Sequence, residues 1–136
     1  MEIRITINQK IFDHDQVIEL YKQNKWSSSN KPGKLISALL HSHTLVIAYE
    51  ENRIVGIGNA ISDGHLVVYY PHLLVHPLFQ GKGIGKLMMD RLMQEYVGFH
   101  QHILVADSGA ISFYEKCGFE RAGQTESMWI YAGDEH

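Results

Sequence analysis

"VHPLFQGKGIGKLMM" (residues 75–89) places three glycines within five positions, between an apolar run that ends at Val75 and a helix-like stretch that begins near Gly83. A turn of this kind leaves several backbone N–H groups without partners, gathered in one small volume that the helix dipole makes positive. Such a volume attracts phosphate. Gly81, Gly83 and Gly85 permit positive φ angles and close approach of a bulky anion, while Lys82 and Lys86 add charge at the rim. The glycines alone are explained equally well by a tight strand-to-helix turn with no ligand. Two familiar phosphate motifs fail on spacing. Lys86 or Met88 stands where a dinucleotide fingerprint needs its third glycine, and Gln80 and Leu87 stand where a Walker loop needs its first glycine and its Ser/Thr.

Working outward, "LVVYYPHLLV" (residues 66–75) is the longest apolar run, and a strand apolar on both faces belongs in the centre of a covered sheet. Pro71 lies inside it and has no N–H to give a neighbour, so the strand is expected to bulge or to splay from one partner there. After the glycines, Met88, Met89, Leu92, Met93 and Tyr96 recur at helical spacing over about 14 residues. "HILVA" (102–106) reads as a strand, "DSGAISFYEKC" (107–117) as a short helix ended by Gly118, and "ESMWIY" (126–131) as a final strand. Upstream, Ile3, Ile5 and Ile7 alternate as a first strand, Asp13 caps a first helix, and a second helix runs from about Pro32 to His41. "NKWSSSN" (24–30) reads as the loop between them. "TLVIAYEENRIVGIGNAI" (44–61) reads as a hairpin turning at residues 50–52. The order predicts one mixed α/β domain over residues 1–136.

Composition narrows the function. With 136 residues, 45% hydrophobic and 20% charged, the chain is long enough for one real core. A net charge of −3 and the lack of a basic stripe argue against nucleic acid. No apolar run approaches the ~20 residues that cross a bilayer, and the first residues lack a signal-peptide core, so no membrane association is expected. The lone Cys117 fits a reducing, cytoplasmic setting and most simply packs as a small buried residue. His41/His43 and His100/His102 are pairs without a third ligand, so no metal is expected.

Gln80-Gly81-Lys82-Gly83-Ile84-Gly85 resembles the Q/R-x-x-G-x-G/A signature of the GNAT N-acetyltransferase superfamily. It follows "LLVHP" (73–77), which is similar to that family's central strand. About thirty residues on, "DSGAISFYEKCGFE" (107–120) resembles the second family signature, with Ala110, Phe113, Tyr114, Gly118 and Phe119 in place. The resemblance runs from about Leu45 to Tyr131. It implies an α/β fold, a mixed and mostly antiparallel sheet splayed at the central strand with helices on both faces, and acetyl-CoA as the cofactor threaded through the splay. By the same resemblance the pantetheine arm pairs with the backbone of Leu73, Leu74 and Val75. The pyrophosphate rests on the amides of residues 81–86, so that Gln80, Gly81, Lys82, Gly83, Ile84, Gly85 and Lys86 form the cradle. Asp107 stands where the family usually has asparagine. It accepts a hydrogen bond but cannot donate one, and it serves either as a cofactor contact or as a helix cap.

The implied reaction moves an acetyl group to an amine and expels a thiolate. Backbone N–H groups near Leu74 are candidates to polarise the carbonyl. Tyr114, also a cofactor contact, is expected to protonate the sulfur. Its reference pKa of about 10 exceeds the thiol's of about 8.5, so the hydroxyl keeps its proton at neutral pH, and handing it to the thiolate is uphill by about 1.5 units. An alkylamine is mostly protonated near neutral pH, and the central strand offers His72 as the base where relatives often have a carboxylate. A structural role for His72 is an equal reading. Trp26, Tyr21 and Tyr70 are candidates to line the acceptor pocket, although core packing explains each as well. The leading expectation is acetylation of a small-molecule primary amine. A protein lysine or N-terminus as acceptor, and a non-catalytic acyl-CoA sensor, are the alternatives. Many relatives pair through their final strands, so by analogy a homodimer through "ESMWIY" is a further expectation.

Overall fold

Ile3, Ile5 and Ile7 alternate with Arg4 and Thr6 on β1 (Ile3–Ile7), which pairs antiparallel with β2 (Thr44–Glu50) from Ile3 opposite Glu50 to Ile7 opposite Val46. The computed structural model describes residues 1–134. β2 turns at Glu51, whose φ is +52°, into β3 (Arg53–Ser62), giving the expected hairpin. β3 then holds both halves of the central strand. β4 (Val67–Tyr69) lies opposite Ile61 and Ser62, and β5 (Leu73–Val75) lies opposite residues 56–58.

The register between the two halves shifts by one residue. Ile61 faces Tyr69, while the Asn59 amide bonds to the His72 carbonyl at 3.1 Å, so Ala60 alone opposes both Tyr70 and Pro71. That is a β-bulge, and it bends the strand at the proline. On its other edge β4 runs parallel to β6 (Gln101–Ile103), and the last bond of this ladder is Tyr70 N to Ile103 O at 3.0 Å. Beyond Pro71 no backbone hydrogen bond joins β5 to residues 104–106 among the described residues. The sheet is therefore both bulged and splayed at Pro71, where the missing N–H interrupts no ladder.

Two helical layers cover the sheet. α1 (His14–Gln23) is capped by the Asp13 carboxylate, which accepts from Gln16 N at 3.1 Å, and α2 (Pro32–Leu40) begins with proline at its first position. Val17, Leu20, Tyr21, Leu35 and Leu39 from these helices pack with Leu45, Ile47 and Tyr49 of β2. α3 (Ile84–Gln94) packs Ile84, Met88, Met89 and Leu92 against Val46 and Ala48. Alternate residues of one strand thus serve opposite cores. α4 (Ile111–Lys116), preceded by a 3₁₀ turn at Ser108–Ala110, has no fully buried residue. No described helix is long and apolar enough to cross a membrane.

Two expectations are corrected. Asp107 does not cap the turn that follows it through its side chain. "ESMWIY" is not a strand: tight turns at Arg121–Gly123 and Ala122–Thr125 redirect the chain, and residues 126–131 make no backbone ladder bond among the described residues. Met128 and Ile130 are 93% and 106% exposed.

Candidate active site

The glycine loop divides into two kinds of position. Gly81 (φ +77°) and Gly83 (φ +86°) adopt the left-handed conformation that side-chain-bearing residues resist, and Gly83 is the N-cap of α3. Gly85 has an ordinary helical backbone, but a Cβ there would stand 3.2 Å from Phe113 Cζ, so its smallness serves packing against α4. The N–H groups of residues 81–86 have no acceptor among the described residues; Leu87 N, bonded to Gly83 O at 3.1 Å, is the first to find one. These amides open the 11-residue α3, at the positive end of its dipole.

The loop is fastened from below. Gln80 Nε2 donates to Val75 O at 2.9 Å and to Asn24 Oδ1 at 3.2 Å, while Asn24 Nδ2 donates to Val75 O at 3.2 Å and to Leu20 O at 3.0 Å. The Gln80 side chain thus ties the loop to β5 and to the end of α1. Asn24 was not singled out from the sequence, where a polar residue after a helix gives no sign of a contact 51 positions away. The two lysines also differ. Lys86 is paired with Asp90 at 2.8 Å, a bond that raises its pKa, whereas Lys82 Nζ lies 5.6 Å from the centroid of the Phe79 ring.

Along β5 the groups that face the gap follow from the ladder. His72 O and His76 N both bond to β3, so alternation gives Leu74 to β3 as well and turns the N–H and C=O of Leu73 and Val75 toward the gap. Leu74, expected to offer its backbone to the acyl chain, instead pairs with Ile57 and buries its side chain. Val75 O is already taken by Asn24 and Gln80. The groups of β5 that remain directed at the gap are both polar atoms of Leu73 and the Val75 N–H.

A cavity of about 830 Å³ lies at the splay. Its walls bring together Trp26, Tyr70, His72, Leu73, Asp107 and Tyr114 of the residues expected from the sequence. Tyr21 is not among them. It is fully buried behind His72, and its hydroxyl meets His72 Nδ1 at 2.8 Å. Burial pushes the Tyr21 hydroxyl far above the usual tyrosine range, so it keeps its proton. One hydrogen bond joins the two side chains, and its direction follows the imidazole tautomer. The His72 amide donates to Asn59 Oδ1 at 3.1 Å, and its ring meets Trp26 edge-on with centroids 5.0 Å apart. The imidazole is thereby held in place.

Tyr70 lines the cavity, packs its ring in the core against Tyr96 and Phe119, and pairs its hydroxyl with His102 Nδ1 at 2.8 Å. Burial, with smaller contributions from Cys117 and Asp107, pushes the Tyr114 hydroxyl up to about 12. It therefore stays protonated at neutral pH. Residues 127–129 and 131–134 of the C-terminal stretch form a further part of the wall, a placement that no local pattern signals.

A splayed sheet, an unpartnered amide cradle at a helix start and a cavity containing a proton donor define an acyltransferase that works from a CoA thioester. The chain belongs to the GNAT acetyltransferase family: the model of the acetyltransferase (GNAT) domain matches residues 41–121. It is 29% identical over 127 residues to the uncharacterized N-acetyltransferase ycf52 of Porphyra purpurea, covering 85% of this chain and 73% of that one. It spans 53%, 44% and 58% of the length of three further curated relatives. Among solved structures, a GNAT family acetyltransferase from Streptococcus pneumoniae superposes with a TM-score of 0.82 at 27% identity, over 96% of this chain and 99% of that one. The AAC(6')-Iy structure in complex with a CoA-S-monomethyl-acetylneamine bisubstrate analogue superposes with a TM-score of 0.71 at 15% identity, over 96% and 97%. At that identity the likeness is one of fold. The residues present fit acetyl-CoA, the acyl donor of the family: Leu73 and Val75 offer backbone groups along the gap, and residues 81–86 offer amides to the diphosphate. When bound, acetyl-CoA supplies an activated acetyl thioester.

Proposed function

We propose that the chain transfers the acetyl group of acetyl-CoA to the primary amine of a small molecule by direct attack. The observation that carries this reading is that Tyr114 and His72 share the walls of one cavity at the end of the splay. Tyr114 Oη protonates the departing sulfur; its raised pKa keeps the hydroxyl protonated across the working range and leaves the transfer uphill, so it must accompany C–S cleavage and be followed by return of a proton to Tyr114. The Val75 and Leu73 amides, facing the gap, are the donors for the acetyl oxygen. His72 receives the proton of the amine at Nε2. It does so in the tautomer that donates from Nδ1 to Tyr21 Oη, which leaves the buried Tyr21 O–H without its recorded acceptor at a cost of about 1–3 kcal/mol. Lys82 and the amides of Gly81 to Lys86 hold the diphosphate, Lys86 contributing through a side chain already shared with Asp90.

A concave cavity with aromatic residues in its walls suits a small acceptor. The test is CoA release, read as free thiol, from acetyl-CoA and a panel of small amines, lysine peptides and N-terminal peptides. Release with the small amines supports the reading. Release with peptides alone moves the acceptor to proteins, and CoA binding without any release makes the protein a sensor.

A further inference from the structure

The helices α1 and α2 cover only part of their face of the sheet. The apolar cluster beneath them takes its strand residues from β2, β3 and β5, and none from β4 or β6 among the described residues. Beyond the bulge that face carries a row of cross-strand neighbours: Ile61 of β3 lies opposite Tyr69 of β4, and Tyr69 lies opposite Ile103 of β6. Directly opposed residues share one side of a sheet. Their chain neighbours Ala60, Val68 and Tyr70 are buried on the other side, in the cluster that holds α3. Leu104 also packs against that cluster, so Val105 continues the side of Ile103. Ile61, Tyr69, Ile103 and Val105 are between 39% and 56% exposed.

Two observations decide what lies on this row. Four side chains are too few for a stable contact between copies, which takes about 800 Å² from each partner. The row also runs into the reaction cavity, because Tyr69 and Val105 belong to the cavity walls. Its chemistry is uniform. Val67 and Gln101, the next opposed pair on the same side, add no charge. From Ile61 to Ile103 the row crosses two strand spacings, about 10 Å, which suits an extended aliphatic chain.

We propose that Tyr69, Val105, Ile103 and Ile61 form a subsite for the apolar tail of the acceptor, and that the acceptor is a primary alkylamine whose nitrogen enters the cavity while its chain lies along this row. The proposal rests on the transferase reading above and adds the acceptor class and the residues that select it. A second ammonium on the chain would lose water over the row and find no carboxylate there, so diamines are disfavoured.

The experiment measures kcat/KM with n-butylamine, n-hexylamine and n-octylamine, and with the terminal diamine of octane, for the unaltered chain and an Ile61→Thr/Ile103→Thr variant. Calorimetry follows amine binding in the presence of CoA, and CoA binding itself. Threonine keeps the β-branch and both positions are half in solvent, so the strands persist. A fully buried methylene is worth about fourfold in affinity and one laid against an open face about twofold, so octylamine is expected to exceed butylamine by about tenfold or more. The diamine should lose most of that gain. In the variant the ratio should fall to about threefold or less while CoA affinity stays within about twofold. A flat chain-length series, a diamine as good as octylamine, a ratio that the variant leaves unchanged, or an equal loss of CoA affinity overturns the proposal. A dimer that the variant dissociates also overturns it and assigns the row to a second copy. If no amine is turned over, binding decides. Octylamine that binds about tenfold more tightly than butylamine, and loses that margin in the variant, upholds the row and removes the transferase reading, whereas equal binding of the two amines, or none, removes the row.

Discussion

The Phe113 ring lies against the backbone of Gly85, so that a methyl group added at Gly85 would meet Phe113 Cζ at 3.2 Å. The two residues come from the two separate signatures of the chain, and their contact seats α4, with Tyr114, over the start of α3. Gly85→Val therefore acts through α4. Overpacking of this kind costs about 1–3 kcal/mol, and it is expected to lower kcat more than CoA affinity because Tyr114 is displaced. Gly83→Val acts differently, since a β-branched residue at φ +86° is strained and distorts the amide cradle itself. Calorimetry with CoA and steady-state kinetics on both variants check the division: CoA binding fails at position 83, turnover at position 85.

Tyr114→Phe removes the proton donor and keeps the ring. A loss in kcat of about a hundredfold or more, with little change in the KM for acetyl-CoA, is expected from the usual contribution of a positioned acid. Unchanged turnover removes the role from Tyr114. Because its pKa is raised to about 12, activity should not fall as pH passes the ordinary tyrosine value of about 10. A pH–rate profile with a descending limb near 10 contradicts the assignment.

The same shifts set the alkaline stability. Tyr21, Tyr70, Tyr96 and Tyr114 all have hydroxyls raised chiefly by burial, so the folded state favours their protonated forms. A group whose folded pKa lies above its unfolded value contributes stability that is complete below the unfolded pKa of about 10 and is lost as pH climbs through the folded one. Unfolding followed by phenolate absorbance and circular dichroism should therefore begin above pH of about 10 and proceed cooperatively. Free titration of all the tyrosines near 10 without unfolding contradicts their burial.

His72→Gln tests the proton acceptor. Near neutral pH an alkylamine is almost wholly protonated, so losing the base is expected to cost about a hundredfold in kcat. The deficit should shrink toward pH of about 10, where the amine loses its own proton. A deficit that is the same at every pH assigns His72 to positioning alone.

Asn24→Ala removes one of the two amides that hold Val75 O and the acceptor of Gln80 Nε2. Loss of such hydrogen bonds is worth about 1 kcal/mol each, which should weaken CoA binding by about fivefold to tenfold while the fold persists. Gln80→Ala should do the same, and the double variant should add less than the sum because the two side chains share one carbonyl. Additive effects contradict the shared fastening.

The sequence made legible what local patterns determine. The alternation of Ile3, Ile5 and Ile7, the Asp13 cap, the proline start of α2 and the helical spacing of Met88 to Leu92 all appear as expected. Pro71 was readable as a bulge or splay because proline's missing donor is a property of the residue itself. The path of residues 126–131 was not. Their composition favours a strand, but whether a strand forms depends on where the chain is aimed, and the turns at residues 121–125 carry it off the sheet. Gly85 was misread for a similar reason: three glycines look alike in sequence, and only the position of Phe113 separates packing from backbone conformation. Tyr21, an aromatic on a helix face, fitted a pocket wall and a core equally; packing put it in the core, where it acts on the cavity only through His72.

The most direct test follows backbone amide resonances of the protein during titration with CoA. The account predicts that the largest shifts fall on Gly81, Lys82 and Gly83 through Lys86, and on Leu73 and Val75, while Leu74, engaged with β3, moves least among its neighbours. Saturable CoA binding that leaves the 81–86 amides unmoved, or no binding by the folded chain, contradicts it.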